Sequence, residues 1–288
     1  MKRLTITKTP KCYVGGAFIR SESGRVEAWR DHNGEFFAHM PVCSRKDLRN
    51  AVEAAAKAGG GWAKRSGYNR GQILYRLAEM LEARAAEMAS ALALDGRSVK
   101  AAEKEVSATI DRMVHYAGWT DKYQALLGSV NPVASPHINF TLTEPMGVVG
   151  VIAPDESPLL ALLSLILPVI TSGNAVVALV SSTHPYPAIL LGEMLATSDL
   201  PGGVVNLLCG DRTELLPTFG SHEQIRGLSA VLCPEEHRVL ELGAAESVKR
   251  VKVLRSDAGV DWWDPSTQGL EWIRAFVESK TIWHPVGV

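Results

Sequence analysis

The chain has 288 residues, 46% hydrophobic and 21% charged, enough for a sizeable core in one large domain or two modest ones. Its 30 basic and 31 acidic residues nearly cancel, which argues against nucleic-acid binding and against polybasic attachment to a membrane. Cys12, Cys43, Cys209 and Cys233 form no CxxC pair and the eight histidines show no ligand spacing, so reduced thiols, a cytoplasmic location and no metal site are expected. The start Met1–Lys8 lacks an apolar h-region, so no secretory leader is expected. The most apolar stretch, Leu159–Val180, is broken by Pro168 and Thr171–Asn174 and therefore predicts a buried helix and strand rather than a membrane span.

In chain order, residues 1–43 alternate short apolar runs with Gly15-Gly16, Ser23-Gly24 and Asn33-Gly34, a hairpin pattern. Residues 44–127 predict helices. Ser44 with Asp47 resembles a capping box, followed by Leu48, Val52 and Ala55 on one face. A second helix is predicted after Asn69 through Ile73, Leu74, Leu77, Met80 and Leu81. A third is predicted over Val99–Leu127, where Tyr116, Trp119 and Tyr123 read as core packing.

From Pro145 strands and helices alternate. Strands are predicted at Val148–Ala153, Ala175–Val180, Val204–Cys209, Ile225–Leu232 and Arg250–Leu254. Helices are predicted between them at Ser157–Ser172, Pro185–Thr197, Thr213–Phe219 and Pro234–Val248. Lys249-Arg250-Val251-Lys252 is a helix-to-strand junction. The pattern gives an α/β protein with a Rossmann-like, doubly wound parallel sheet of about five strands. Residues 256–268 are expected to be a loop, Leu270–Glu278 a short helix, and Thr281–Val286 a final strand.

The stretch Ile-Ala-Pro-Asp-Glu-Ser-Pro-Leu-Leu, Ile152–Leu160, sits at a strand-to-helix turn, where α/β proteins place ligand-binding groups. Its adjacent acids Asp155 and Glu156 have two readings. They form an acid/base dyad, or they mark a helix start with Ser157 as N-cap, Pro158 in the first turn and acids beside the positive dipole end. The second is the commoner arrangement and is the expectation here. His184 reads as a turn histidine, and Trp262-Trp263 as an apolar plug rather than a ligand platform.

Tyr13–Phe18, Glu144–Pro154, Gly173–Val177, Leu200–Asn206 and Phe276–Trp283 together resemble, in order, signatures of the aldehyde dehydrogenase superfamily. The chain is similar in particular to the degenerate second unit of family-sixteen-type aldehyde dehydrogenases. The resemblance implies NAD(P) along the carboxyl edge of the sheet, a cysteine nucleophile from a separate domain, a glutamate base and an oxyanion asparagine. On this chain the asparagine position falls on Glu156, which has no hydrogen-bond donor when ionised. The ribose-binding lysine and acid fall on Leu179 and Ser182, and the phosphate-side glycine turn falls near Ser229-Ala230-Val231-Leu232. Leu240-Glu241-Leu242-Gly243 copies the base motif but lies in a predicted helix, which leaves Leu254 at the base position. No Gly-Gln-x-Cys motif occurs. Between Arg255 and Leu270 the resemblance places a catalytic domain of roughly 150–200 residues that this chain lacks.

These readings divide the chain into an N-terminal hairpin and helical region (1–127), a degenerate NAD-binding-type domain (145–255), a replacement loop (256–269) and oligomerisation strands (128–144 and 270–288). No catalytic residue and no cofactor are expected. The cleft around Pro154, Asp155, Glu156, Leu179, Ser182 and Ala230 is vestigial on this reading. The expected role is a non-catalytic subunit in a homo-oligomer, or in a hetero-oligomer with a full-length aldehyde dehydrogenase. The rivals are an NAD(P)-dependent oxidoreductase completed in trans and a small-molecule sensor.

Overall fold

Strands buried on both faces need no polar alternation, and the apolar runs at 148–152, 175–179 and 205–208 form such strands. The computed structural model describes residues 8–287; the expectation about a leader at Met1–Thr7 lies outside them. The strands and helices in order are β1 (Cys12–Val14), β2 (Ala17–Ile19), β3 (Val26–Arg30), β4 (Phe36–Pro41), α1 (Arg45–Ala63), α2 (Gly67–Ala83), α3 (Ala85–Leu92), α4 (Val99–Trp119) and α5 (Tyr123–Leu127). Then come β5 (Ser129–Asn131), β6 (His137–Pro145), β7 (Val148–Ile152), α6 (Leu160–Thr171), β8 (Ala175–Leu179), α7 (Tyr186–Thr197) and β9 (Val205–Leu208). The chain continues through α8 (Arg212–Ser221), β10 (Ile225–Leu232), α9 (Pro234–Ala245), β11 (Arg250–Arg255), α10 (Leu270–Arg274) and β12 (Val277–Pro285).

The main sheet runs β11-β10-β7-β8-β9-β1-β2. The five strands from β11 to β9 are the parallel ones expected, but the sheet has seven strands rather than about five. The extra two come from the first hairpin, which adds antiparallel to β9 through Tyr13 opposite Leu207. A buried asparagine makes that joint. Asn206 Oδ1 accepts the Gly15 amide at 2.8 Å while its Nδ2 donates to the Val176 and Gly203 carbonyls. Gly16 and Gly202 meet backbone to backbone, and a Cβ on Gly202 would stand 2.7 Å from Gly16 Cα.

The Ser44–Asp47 capping box forms as predicted and starts α1. The predicted long third helix is interrupted at residues 120–122, and α3 is an element the periodicity missed. Helices α1, α8 and α9 pack on one face of the sheet and α6 and α7 on the other, beneath α2 to α4. Asn174 ties the sheet's entry to the C-terminal segment, its Oδ1 accepting the Gly147 amide at 2.8 Å and its Nδ2 donating to the Phe276 carbonyl at 2.7 Å.

A second sheet, β12-β6-β5, stands apart from the first. β12 pairs antiparallel with β6 along its whole length, from Val277 opposite Pro145 to Pro285 opposite His137. The predicted helix to Glu278 is therefore shorter and the final strand longer than expected. Segment 256–269 is a folded loop with two 3-10 turns. Arg112 on α4 binds it, donating to the Trp262 carbonyl at 2.7 Å and the Thr267 carbonyl at 2.8 Å as well as to Ser164 on α6. Trp262 is buried beneath it, as a plug should be, while Trp263 remains exposed with Lys104 5.5 Å from its ring. Among the described residues no helix is long and apolar enough to cross a membrane.

Candidate functional site

The chain runs outward from β7 through β8 to β9, then returns to place β10 on the other side of β7. The crevice at the carboxyl ends of β7 and β10 is thus the topological switch point, the usual ligand position of such sheets. Here it carries a protein side chain. Arg212, at the start of α8, donates from Nη2 to the Ala153 carbonyl at 2.9 Å. Its guanidinium also stands 3.9 Å from Asp155 and 3.6 Å from Glu236. A cleft of about 580 Å³ opens beside it, lined in part by Glu27, Asp155, Ser182, Cys209, Asp211 and Glu236. Four carboxylates against one guanidinium make this an acidic opening.

Asp155 is fully engaged. Its carboxylate accepts the Ser181 hydroxyl at 2.7 Å, the Ser182 amide at 2.8 Å and the Thr183 amide at 3.2 Å. Burial opposes its ionisation, yet the Ser181 hydroxyl, the two amides and the Arg212 charge together hold its carboxyl below the usual range. Asp155 therefore ties the turn after β7 to the turn after β8. Glu156, its neighbour, is exposed while Asp155 is bound into the Ser181–Thr183 loop, so the two acids face different surroundings.

The expected helix start needs correction. Ser157 does not cap α6: it has a φ of 49°, in the left-handed region, and α6 begins three residues later at Leu160. Its first amides are capped from another helix. The fully buried Glu105 of α4 accepts Leu159 N–H at 2.9 Å and Leu160 N–H at 3.1 Å through Oε1, and its other oxygen takes Arg97. The sequence signal for Glu105 was an acid on the apolar stripe Ala102, Val106 and Thr109 of a helix, a position where a charge must have a built partner.

The remaining cleft residues are dispersed. Asp155 and Ser182 line the opening. Pro154, Leu179 and Ala230 do not; all three are buried, Leu179 at the end of β8 and Ala230 opposite Ile152 within β10. Residues 229–232 are strand rather than a turn, because both edges of β10 are paired, to β7 and β11. The turn comes at Cys233, where Glu236 of α9 accepts the Cys233 amide at 3.3 Å. Leu240–Gly243 lies within α9, as its helical pattern predicted, and Leu254 lies near the end of β11. His184 Nε2 stands 3.9 Å from Asp95. Among the described residues, no group of three or more His, Cys, Asp or Glu side chains is placed to hold a metal ion.

The profile of the aldehyde dehydrogenase family matches residues 18–253. The chain is 30% identical over 261 residues to cytosolic 10-formyltetrahydrofolate dehydrogenase of Mus musculus, covering 88% of this chain and 29% of that protein. It is 32% identical over 251 residues to the mitochondrial benzaldehyde dehydrogenase of Antirrhinum majus, covering 84% of this chain and 46% of that one. The fold superposes on the NAD+ complex of aldehyde dehydrogenase from Bacillus cereus with a TM-score of 0.82 at 26% identity, over 86% of this chain and 51% of that chain. The chain thus spans about half or less of the length of these relatives. With this match over most of its length, the protein belongs to the aldehyde dehydrogenase family.

Proposed function

We propose that this protein is a non-catalytic member of its family, acting as a structural or regulatory subunit in association with an active NAD-dependent aldehyde dehydrogenase. The observation that carries the reading is the occupied switch point. Arg212 fills the crevice where a dinucleotide would cross the sheet, bound to the Ala153 carbonyl. The two helix starts that would face its phosphates already hold carboxylates, Glu105 at α6 and Glu236 at α9. A pyrophosphate would find the α6 amides already taken by the buried Glu105, and at α9 it would face Glu236 and the acidic cleft. Leu179, in the position that the resemblance gives to the ribose-binding lysine, has no donor for a hydroxyl. The residues present do not fit a dinucleotide, so no catalytic step is drawn through one.

The association part of the reading rests on the second sheet. β6 occupies the inner edge of β12, and β12 is the last strand of its sheet, so its outer edge is the one offered to another chain. Val130, Ile138, Leu142 and Trp283 on these strands are exposed, Val130 at 79% and Trp283 at 57%.

Calorimetric titration of the pure protein with NAD+ tests the first part, with no binding expected at sub-millimolar concentration. Micromolar binding would favour the oxidoreductase completed in trans. Light scattering of the protein alone and mixed with a co-expressed full-length aldehyde dehydrogenase tests the second part. A monomer in both samples would end the subunit reading.

A further inference from the structure

Three of the four cysteines, scattered at positions 12, 43 and 209, converge in space. Cys12 Sγ lies 3.4 Å from Cys43 Sγ and accepts the Cys209 amide at 3.3 Å, while the Cys43 amide donates to the Cys209 carbonyl at 2.8 Å. Cys12 and Cys43 have no solvent exposure, and Cys209 borders the acidic cleft. The trio does not form a metal cage. We propose that Cys12 and Cys43 are a peroxide-sensitive thiol pair, forming a disulfide that links β1 to the segment entering α1.

The arrangement supplies two sulfurs in contact and donors that favour one of them as thiolate, and because both sulfurs are shielded from solvent the oxidant reaches them by local opening of the cleft wall at Met40–Cys43. Cys12 is the sulfur favoured as thiolate: the Cys209 and Cys43 groups donate toward it and lower its pKa, while hydrogen bonding to Cys12 and then burial push the other two thiols up. The Cys12 thiolate attacks one oxygen of hydrogen peroxide, breaking the O–O bond to give a sulfenic acid and hydroxide. Cys43 sulfur then attacks Cys12 sulfur. The S–O bond breaks, the Cys43 proton leaves with that oxygen as water, and the S–S bond remains. Two thiols lose two electrons and the peroxide becomes two waters. The sulfurs need to close by a little over one ångström to reach the bond length of about 2.05 Å. The cleft wall formed by Met40, Pro41 and Val42 adjoins Cys43, so the bond would also fix that wall to the main sheet.

The test is peptide mapping of the full-length protein. It is exposed to graded hydrogen peroxide, unfolded in the presence of N-ethylmaleimide, digested without reductant and analysed by mass spectrometry. The expected result is a Cys12–Cys43 linked peptide, reversed by dithiothreitol, with Cys209 and Cys233 still alkylated. The oxidised protein should also melt several degrees higher, since the bond closes a loop in the unfolded chain. A Cys43→Ser variant, checked for native circular dichroism, should lose the link and show Cys12 sulfenic acid to a dimedone probe. Full alkylation of all four cysteines after peroxide overturns the proposal. So does a Cys12–Cys209 link, or overoxidation of Cys12 with no link. The wild-type mapping decides the matter even where the variant misfolds.

Discussion

The carboxylate of Glu105, fixed on α4, accepts the backbone amide of Leu159 at 2.9 Å across 54 positions of sequence. Helix starts are ordinarily capped by a residue one to three positions away. Here the cap is a buried ion from another helix, and its removal leaves the Leu159 and Leu160 amides without their acceptor and Arg97 with Asp95 as its remaining carboxylate partner. Glu105→Ala is expected to lower the unfolding free energy by about 3–5 kcal/mol. Glu105→Gln, which keeps one acceptor, should cost about 1–3 kcal/mol. Urea denaturation curves check both, and equal losses in the two variants would show that the amide oxygen of Gln cannot take over the cap.

Arg112 performs a related task for segment 256–269, where its guanidinium meets two carbonyls and the Thr267 hydroxyl. Arg112→Met keeps the length of the side chain and removes the donors, at an expected cost of about 2–3 kcal/mol. Limited proteolysis should then cut within 256–269 first, and Trp262 emission should shift red as the plug loosens. Unchanged proteolysis would mean that Trp262 packing alone holds the loop.

Asp155 makes stability depend on pH in a definite direction. Its folded carboxyl titrates below the unfolded value of about 3.9, so its contribution is complete above that value and is lost as pH falls through the lower folded one. Asp155→Asn is expected to be less stable than the parent at neutral pH and to show a flatter acid limb below about pH 4. Thermal melts at several pH values between 2 and 7 check it. Parallel curves for parent and variant would rule out this linkage.

Much of this architecture is legible in the sequence. β7 and β8 are buried at every position, so their apolar runs announce themselves, and the Ser44–Asp47 box is a local signal three residues long. Strand order and the docking of the first hairpin beside β9 depend on pairing between segments nearly 200 positions apart, which leaves no periodic mark. The site was less legible for the same reason. Glu105, Arg112 and Arg212 each satisfy backbone groups distant in the chain. A turn acid such as Asp155 reads as a local helix cap until the Ser181–Thr183 loop is seen to fold around it.

Trp283 offers the most direct test of association. It is more than half exposed on β12, with its ring edge-on to His137 at 5.9 Å. Burying such a side chain against another chain is worth about 1.5–3 kcal/mol. Trp283→Lys should therefore weaken self- or cross-association roughly tenfold to a hundredfold, with the far-ultraviolet circular dichroism unchanged. Sedimentation velocity across a concentration series reads this directly, and an unaltered association constant would move the interface elsewhere.

The joint between Gly15 and Asn206 spans 191 positions, and the backbone contact of Gly16 with Gly202 seals it. During synthesis the first hairpin therefore emerges long before the strand it must join. At ~5–20 residues per second the nascent chain carries it unmated for roughly ten to forty seconds. Throughout that interval the edge of β1 and the thiol of Cys12 lack their native cover. A three-residue strand presents little for a stray neighbour to zip onto, so the brevity of β1 protects the growing chain while it waits for β9.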